Sequence, residues 1–243
     1  MANITISDYH NKAIKDYGLN AIWPGKVLIE SKVIQDKFSE DSHELEELPF
    51  VTIDGVDARD FDDAIYCSVT NDGFHLKVAI ADVSYYVKTG SSIDKEASKR
   101  TTSVYFPQKV IPMLPENLSN ELCSLQPKKR RRVLCVEIDF DKDGLINKYQ
   151  FKRGIIKSSA RLTYSQVEKF YLDKYQGLEG PYVDSLESSF HLCKKLIAQR
   201  QMRGALDFEI SEPAINLNKE RKIKSLYQRK RLFSHKLVEE LML

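Results

Sequence analysis

The stretch FVTIDGVDARDFDD, residues 50–63, combines the two features on which the expected fold depends. Its first four residues are apolar or β-branched and predict a short buried strand that ends at Asp54. Five carboxylates then lie within ten residues, and Phe61 among them favours a buried position that would anchor the loop. Two like charges about 4 Å apart repel by roughly 4 kcal/mol at an effective dielectric constant near 20. Such a cluster must therefore either spread into solvent or hold cations.

Because these carboxylates lie between apolar strands, the binding of cations is favoured over spreading into solvent. Oxygen-rich sites suit hard ions such as Mg²⁺ or Mn²⁺. Two such ions could activate a water and stabilise the leaving oxygen of a phosphodiester. An acidic surface loop is one alternative, and a glycosyltransferase-like metal motif formed by Asp60-Phe61-Asp62 is another. An EF-hand is excluded, because the cluster lacks both the order of acids and the glutamate at position twelve that such a loop requires.

Strand patterns continue on the C-terminal side of the cluster. Residues 64–69 and 74–83 predict a hairpin that turns at Asn71-Asp72-Gly73. Residues 132–139 and 145–151 predict a second hairpin. Much of the chain from the carboxylate cluster to residue 151 is therefore expected to form antiparallel sheet.

Helical patterns flank this region. Thr163 and Gln166 have capping-box spacing at the start of one helix, and Asp184 and Glu187 repeat that spacing ahead of a second, which Gly204 ends. Three further elements are expected: a helix over 5–17, a strand over 206–210 and an apolar helical stripe over 232–242. Strands precede helices in a mixed order, which predicts the α+β class.

Composition places the chain among globular proteins. The 243 residues are 42% hydrophobic and carry a formal net charge of +2, whereas disordered chains have fewer apolar residues and a larger net charge. The near-neutral sum hides a segregation of charge. Residues 35–47 hold six acids and one lysine, residues 128–132 are five consecutive cations, and residues 219–231 carry seven basic residues. Both basic stretches are candidates for contact with a nucleic-acid backbone, with a solvated face as the alternative.

Several classes of protein are disfavoured by the sequence. No apolar run approaches the roughly 18 residues needed to cross a bilayer, and the polar N-terminus has no signal-peptide core. We therefore expect a cytoplasmic protein with no membrane partner. The four cysteines are far apart and form no CxxC pair, which predicts four buried thiols instead of disulfides or a zinc site.

With these residues in view, the chain resembles the ribonuclease II/ribonuclease R family of exoribonucleases, whose catalytic unit is the RNB domain. The matching blocks follow the family's order across about 20–243. They are Thr52–Asp63, Val78–Tyr86, Thr102–Pro107, Ile111–Pro115, Leu118–Leu125, Ala160–Tyr164 and Arg203–Phe208.

The resemblance implies a processive exoribonuclease that depends on Mg²⁺, with Mn²⁺ as an alternative ion. It would hydrolyse single-stranded RNA from the 3′ end and release nucleoside 5′-monophosphates. Carried over by position, the metal ligands would be Asp54, Asp60, Asp62 and Asp63, and Asp62 would be the most sensitive catalytic residue. Asp57 lies off the family's ligand pattern and is expected to be exposed.

The resemblance also implies contacts with the RNA. Tyr105 matches the tyrosine that packs against the 3′-terminal nucleotide and helps to place the scissile phosphate, which makes it a catalytic as well as a substrate-binding residue. Phe208 matches the aromatic residue that stacks on the terminal bases, and Arg59 beside the cluster is a candidate phosphate contact.

The family's domain order implies two parts in this chain. Residues 1–48 would be the end of a preceding cold-shock domain with an acidic connector, and residues 49–243 the N-terminal part of the RNB catalytic domain. The C-terminal half of that domain would then be a partner missing from this chain, since the helical stripe at 232–242 stops without a cap. An inactive RNA- or metal-binding fragment, or one half of a split ribonuclease, is the alternative interpretation.

Overall fold

The structure of the protein, a computed structural model, describes residues 5–38, 45–208, 212–220 and 222–243. The helices are α1 Ile6–Asp16, α2 Gly25–Val33, α3 Val83–Tyr86, α4 Ser92–Arg100, α5 Tyr164–Leu172, α6 Val183–Met202 and α7 Phe233–Met242, with a π-helical segment at Asn117–Leu122. The strands are β1 Val51–Asp54, β2 Asp63–Val69, β3 Gly73–Ala81, β4 Val104–Phe106, β5 Lys109–Ile111, β6 Arg130–Asp141, β7 Ile146–Lys157, β8 Ala160–Thr163, β9 Glu212–Leu217 and β10 Ile223–Arg229. This mixture confirms the α+β class.

The chain divides into two compact units that each combine distant parts of the sequence. The first comprises residues 1–35, 86–119 and 209–230. The second comprises residues 36–85, 120–208 and 231–243. The carboxylate cluster belongs to the second unit.

A six-stranded sheet in the order β7-β6-β3-β2-β1-β8 forms the second unit. Its strands pair antiparallel except β1 and β8, which run parallel with Asp54 beside Thr163. Gly73 follows the turn between β2 and β3 with φ of 154°, and a Cβ there would lie 2.1 Å from the carbonyl oxygen of Phe140. Glycine is therefore required where β3 passes closest to β6.

The core of the second unit lies between this sheet and helices α5, α6 and α7. Alternate residues of β2 and β3 face the helices, as expected for half-covered antiparallel strands. Phe170 and Phe190 are almost fully buried, as is Leu237 of the last helix. Helix α7 is thus a packed core element, and its apolar stripe was correctly predicted.

In the described residues, the first unit contains helices α1, α2 and α4 and two separate hairpins. Strands β4 and β5 form one hairpin, and β9 and β10 form the other. Arg100 is the last residue of α4. Its guanidinium lies 3.6 Å from the ring centroid of Trp23 and pairs with Glu96 at 3.0 Å. That guanidinium also donates to the carbonyl oxygens of Pro112 and Ile22.

Most expected elements are confirmed, including both hairpins and the helix over 5–17. The capping box of Thr163 and Gln166 is present at the start of α5. All four cysteines are buried free thiols, as predicted. Within the described part of the chain, no helix is both long and apolar enough to cross a bilayer.

Two local predictions are wrong. Helix α6 begins at Val183 after Tyr182, so Asp184 lies inside the first turn, where its charge favours the helix dipole without capping an amide. The strand expected over 206–210 is absent at 206–208, where Leu206 and Phe208 are exposed and have no pairing strand. Residues 209 and 210 lie outside the described residues, and the next strand begins at Glu212.

Candidate metal centre

The clustered aspartates lie at one end of the β1–β2 pair. Asp54 is the last residue of β1 and Asp63 is the first residue of β2, so a loop over residues 55–62 joins two adjacent strands. Because β1 and β2 run antiparallel, both ends of this loop lie at the same edge of the sheet. The aspartates that are close together in the sequence are therefore also close together in space.

The pKa of Asp54 reflects its burial and the charges of the neighbouring carboxylates. Burial, followed by the charge of Asp63 and to a smaller extent that of Asp62, raises the pKa of Asp54 to about 7, against smaller lowering effects of a hydrogen bond from Thr52 and of Arg161. Near neutral pH this carboxyl group therefore holds its proton part of the time, because it is partly buried and because a second negative charge is close.

The other carboxylates shift in the same direction. Burial, and then the charge of Asp62, raise the pKa of Asp63 to about 6. Partial desolvation by surrounding protein atoms, and then Asp60, raise the pKa of Asp62. The Asp62 side chain keeps an exposed surface. The site thus holds more negative charge than its protein surroundings balance, while one carboxylate stays open to ligands.

The donor set fits a hard divalent cation by its chemistry. In the described residues, no group of three or more His, Cys, Asp or Glu side chains has the arrangement of a metal site. The fit therefore depends on the oxygen donors and on their mutual repulsion, which a bound cation would relieve.

Buried groups fasten the second half of the aspartate loop. The hydroxyl of Ser124, which is fully buried, accepts from the amide of Phe61 at 3.1 Å and donates to the carbonyl oxygen of Arg59 at 3.0 Å. The amide of Leu125 donates to the carbonyl oxygen of Phe61 at 2.8 Å. Phe61 is buried, as predicted, so the backbone that carries Asp60 and Asp62 is held from both sides.

Arg161 fastens the first half of the loop. It lies on β8 opposite Thr52, two residue pairs before Asp54. Its guanidinium donates to the carbonyl oxygens of Gly55 and Val56, and it lies 5.5 Å from the ring centroid of Phe61. The loop is therefore a fixed element of the site.

Sequence reasoning missed Arg161, Ser124 and Tyr164 as members of this site. Tyr164 begins α5, and burial, followed by the charges of Asp54 and Asp63, raises the pKa of its phenol. All three lie in blocks of the family resemblance, which is the signal that could have identified them. Ser124 and Arg161 bond to loop residues between 63 and 106 positions away along the chain, which no local pattern reveals.

The other predicted site residues are exposed. Asp57 is exposed, as expected, and Arg59 is exposed beside it. Phe208 follows α6 with 71% of its surface exposed. Tyr105 lies on β4 of the first unit and is 63% exposed. The cluster therefore gathers Asp54, Asp62 and Asp63, with Asp60 acting on Asp62.

The first basic stretch, residues 128–132, is largely engaged within the fold. Arg132 pairs with Asp36 at 2.9 Å, and Arg130 pairs with Glu46 at 2.9 Å. The guanidinium of Arg131 donates to the carbonyl oxygen of Ser124. The strand carries Arg130 and Arg132 onto the acidic connector, so these side chains are engaged within the fold, and their contact with phosphate stays a prediction. Residues 39–44 of that connector lie outside the described residues.

Comparison with known proteins gives consistent matches. The RNB domain family model matches residues 42–243. Ribonuclease R of Escherichia coli (strain K12) is 42% identical over 239 residues, which are 95% of this chain and 29% of that protein. The chain therefore spans less than a third of the length of this relative.

Solved structures match over nearly the whole chain. Mycoplasma genitalium RNase R in complex with ribose methylated single-stranded RNA has a TM-score of 0.91 at 33% identity, covering 99% of this chain and 38% of that one. The same protein in complex with double-stranded RNA has a TM-score of 0.92 at 33% identity, covering 99% of this chain and 44% of that one.

Proposed function

This chain belongs to the RNB domain family, and from that premise we propose that it is a 3′–5′ exoribonuclease. The proposed reaction hydrolyses single-stranded RNA to nucleoside 5′-monophosphates and depends on Mg²⁺, which Mn²⁺ could replace. RNA as the substrate is supported by the solved relatives, both of which hold RNA. A cytoplasmic location and a partner that supplies the remaining half of the catalytic domain stay predictions.

One observation carries this proposal: at one edge of the sheet, burial and neighbouring aspartates together raise the pKa values of Asp54 and Asp63. Uncompensated carboxylates cost stability unless a ligand uses them. Their surroundings fix the loop through Ser124 and Arg161 instead of letting it spread into water. A fixed, charged and partly desolvated loop is expected of a site that binds cations, and an acidic surface loop would lack these fastenings.

Each aspartate has a proposed task. Asp54 and Asp63 would hold the cation from the two strand ends, with Asp60 and the exposed Asp62 completing the ligands from the loop. When bound, the divalent ion would activate water and stabilise charge on the phosphodiester. Hydrogen bonds from Arg161 to the backbone keep the carboxylates in place without adding a ligand.

Neighbouring groups would orient the RNA. The phenol of Tyr164 is protonated near neutral pH like that of any tyrosine, and burial together with the charges of Asp54 and Asp63 raises its pKa further, so this side chain is a hydrogen-bond donor beside the acids. The exposed ring of Phe208 is available for stacking on a base, and Arg59 for contact with a phosphate. Tyr105 keeps its proposed role at the 3′-terminal nucleotide.

The experiment is an RNA cleavage assay with matched variants. Single-stranded RNA labelled at the 5′ end is incubated with the 243-residue chain and Mg²⁺, and the products are separated by length and identified by chromatography. We expect stepwise shortening from the 3′ end with release of nucleoside 5′-monophosphates. Asp62→Asn should abolish this activity, whereas Asp57→Asn, at an exposed position of the same loop, should retain it.

Two results would contradict the proposal. Intact RNA after incubation with the unmodified chain and Mg²⁺ would show that this polypeptide is not an active nuclease by itself. Equal cleavage by the Asp62 and Asp57 variants would show that the activity does not depend on the carboxylate cluster.

A further inference from the structure

The second basic stretch, residues 219–231, differs from the first in how it displays its charge. Most of it belongs to the hairpin of β9 and β10, which pair with each other in a two-stranded sheet of their own. All seven residues of β10 are exposed. Of the arginines in this stretch, Arg231 lies beyond the hairpin and is engaged by Asp207 at 2.7 Å.

Three lysines of this hairpin region are exposed to solvent. Lys219 lies at the turn, Lys224 lies on β10 and Lys230 follows that strand, and all three are exposed. Between residues 212 and 230 the sequence carries six basic and two acidic residues. This excess of positive charge attracts polyanions, and the release of counterions would favour binding.

Apolar and aromatic side chains are exposed among these cations. Tyr227 is 47% exposed, and its neighbour Leu226 is 69% exposed. Strand geometry places Tyr227 and Arg229 on the same face, because alternate residues share a face. These exposed side chains are therefore available to a ligand beside the cations. A flat ring beside cations suits a nucleic-acid strand, whose bases stack while its phosphates pair.

We propose that the β9–β10 hairpin is a sequence-independent binding surface for single-stranded RNA. Lys219, Lys224 and Lys230 contact the phosphate backbone, and Tyr227 stacks on a base. The choice of RNA over another polyanion rests on the proposed function, but the surface contributes to binding and not to hydrolysis. We expect this hairpin to contact the RNA backbone in place of the first basic stretch, because the arginines of that stretch are engaged within the fold.

The test measures RNA affinity as a function of salt. Fluorescein-labelled oligouridylate is titrated with the 243-residue chain in EDTA, which prevents cleavage, and binding is followed by fluorescence anisotropy at several KCl concentrations. The hairpin variant is Lys224→Gln/Lys230→Gln. The matched control is Lys12→Gln/Lys15→Gln, which removes two exposed lysines of α1 that belong to neither basic stretch.

The hairpin variant should bind roughly tenfold more weakly at 0.1 M salt. The slope of log K against log salt should fall by about 1.4, since each phosphate contact with a single strand contributes about 0.7. The control should match the unmodified chain in affinity and slope. Tyr227→Ala should weaken binding about fivefold or more without changing the slope, because stacking does not release counterions.

Three results would overturn the proposal. They are equal losses in the hairpin and control variants, no loss in the hairpin variant, and binding of polyglutamate but not of oligouridylate by the unmodified chain. Equal thermal melting of all variants shows that they are folded. Since EDTA removes catalysis from the assay, a chain that binds through the hairpin but cleaves nothing contradicts the proposed function alone.

Discussion

Glu137 and the aspartate cluster place carboxylates on the same sheet in opposite electrostatic settings. Glu137 lies buried on β6, facing Lys77 on β3 and Gln150 on β7. Burial by itself would raise its pKa, but hydrogen bonds from Lys77 and Lys152, aided by the Lys77 charge and by Gln150, lower the pKa to about 2. This acid carries its counter-charges within the fold.

The aspartate cluster lacks such compensation. The groups that act on Asp63 and Asp62 after burial are other aspartates, and the opposing effects of a Thr52 hydrogen bond and of Arg161 still leave the pKa of Asp54 at about 7. Arg161 also directs its hydrogen bonds to backbone carbonyls of the loop. The comparison indicates that a carboxylate paired with lysines stabilises the sheet, whereas the carboxylates left in excess are the proposed ligands of an external cation.

The largest expected effect is on the rate of RNA cleavage, which should depend on the aspartate cluster and not on Glu137. Asp54→Asn should lower the rate of RNA cleavage by about 10³-fold, because it removes a proposed ligand of the reacting centre. Its melting temperature should stay equal or rise, since a neutral amide relieves the repulsion from Asp63 and Asp62. The 5′-label assay and thermal unfolding measure both quantities. A large loss of stability would assign Asp54 to the same class as Glu137.

Glu137→Gln should lower the stability of the protein and leave RNA cleavage unchanged. Removal of one partner from a buried pair leaves Lys77 uncompensated, which should lower the free energy of unfolding by about 3 kcal/mol. Cleavage by the folded fraction should be unchanged. Urea unfolding provides the measurement, with Asp139→Asn as the control on the same strand. Asp139 pairs with His75 at a more exposed position, so that variant should cost less than about 1 kcal/mol.

The two settings also predict opposite pH dependence of stability. Asp54 and Asp63 bind protons more tightly when folded than when unfolded, so in EDTA their contribution to stability falls as pH rises from about 4 to about 7. Glu137 binds its proton less tightly when folded, so its contribution is present above pH 4.5 and is lost as pH falls towards 2.

Urea unfolding across this pH range, compared between the unmodified chain and Asp54→Asn, isolates the first contribution. The difference between the two chains should grow from pH 4 to pH 7 in EDTA and shrink when Mg²⁺ is added. A difference that does not depend on pH would show that Asp54 is not perturbed by its neighbours.

The smallest expected effect concerns the fastening of the loop. Arg161→Lys keeps the positive charge but cannot reproduce the guanidinium contacts with Gly55 and Val56. Loss of one net hydrogen bond should cost about 1 kcal/mol of stability. RNA cleavage should fall by about tenfold at unchanged RNA affinity, because the carboxylates are less well placed. If cleavage and stability are both unchanged, the loop is held without Arg161.

The sequence predicted those parts of the molecule that local patterns encode. Strand alternation indicated both hairpins, and the apolar strands on either side of the acidic loop indicated that its carboxylates lie between core elements. Ser124 and Arg161 could not be found this way, since their partners lie at least 63 residues away and depend on strand order.

Charge runs were the least informative patterns. The arginines of residues 130–132 and the lysines of the β9–β10 hairpin lie in similar basic runs, yet the former pair with acids or carbonyls and the latter are exposed. The difference arises because β6 lies inside the six-stranded sheet, where the connector covers its side chains, while β10 pairs with β9 alone. Long-range pairing, and not local composition, decides which charges remain available.

Direct titration with Mn²⁺ provides the sharpest test of the central claim, that the uncompensated aspartates form a divalent cation site. Binding is followed by electron paramagnetic resonance at pH 7.5 for the unmodified chain, for Asp54→Asn/Asp63→Asn and for Glu137→Gln. We predict that the unmodified chain and the folded Glu137 variant bind Mn²⁺ with the same affinity, and that the double aspartate variant loses this binding. Equal Mn²⁺ binding by the unmodified chain and the double aspartate variant would contradict the claim.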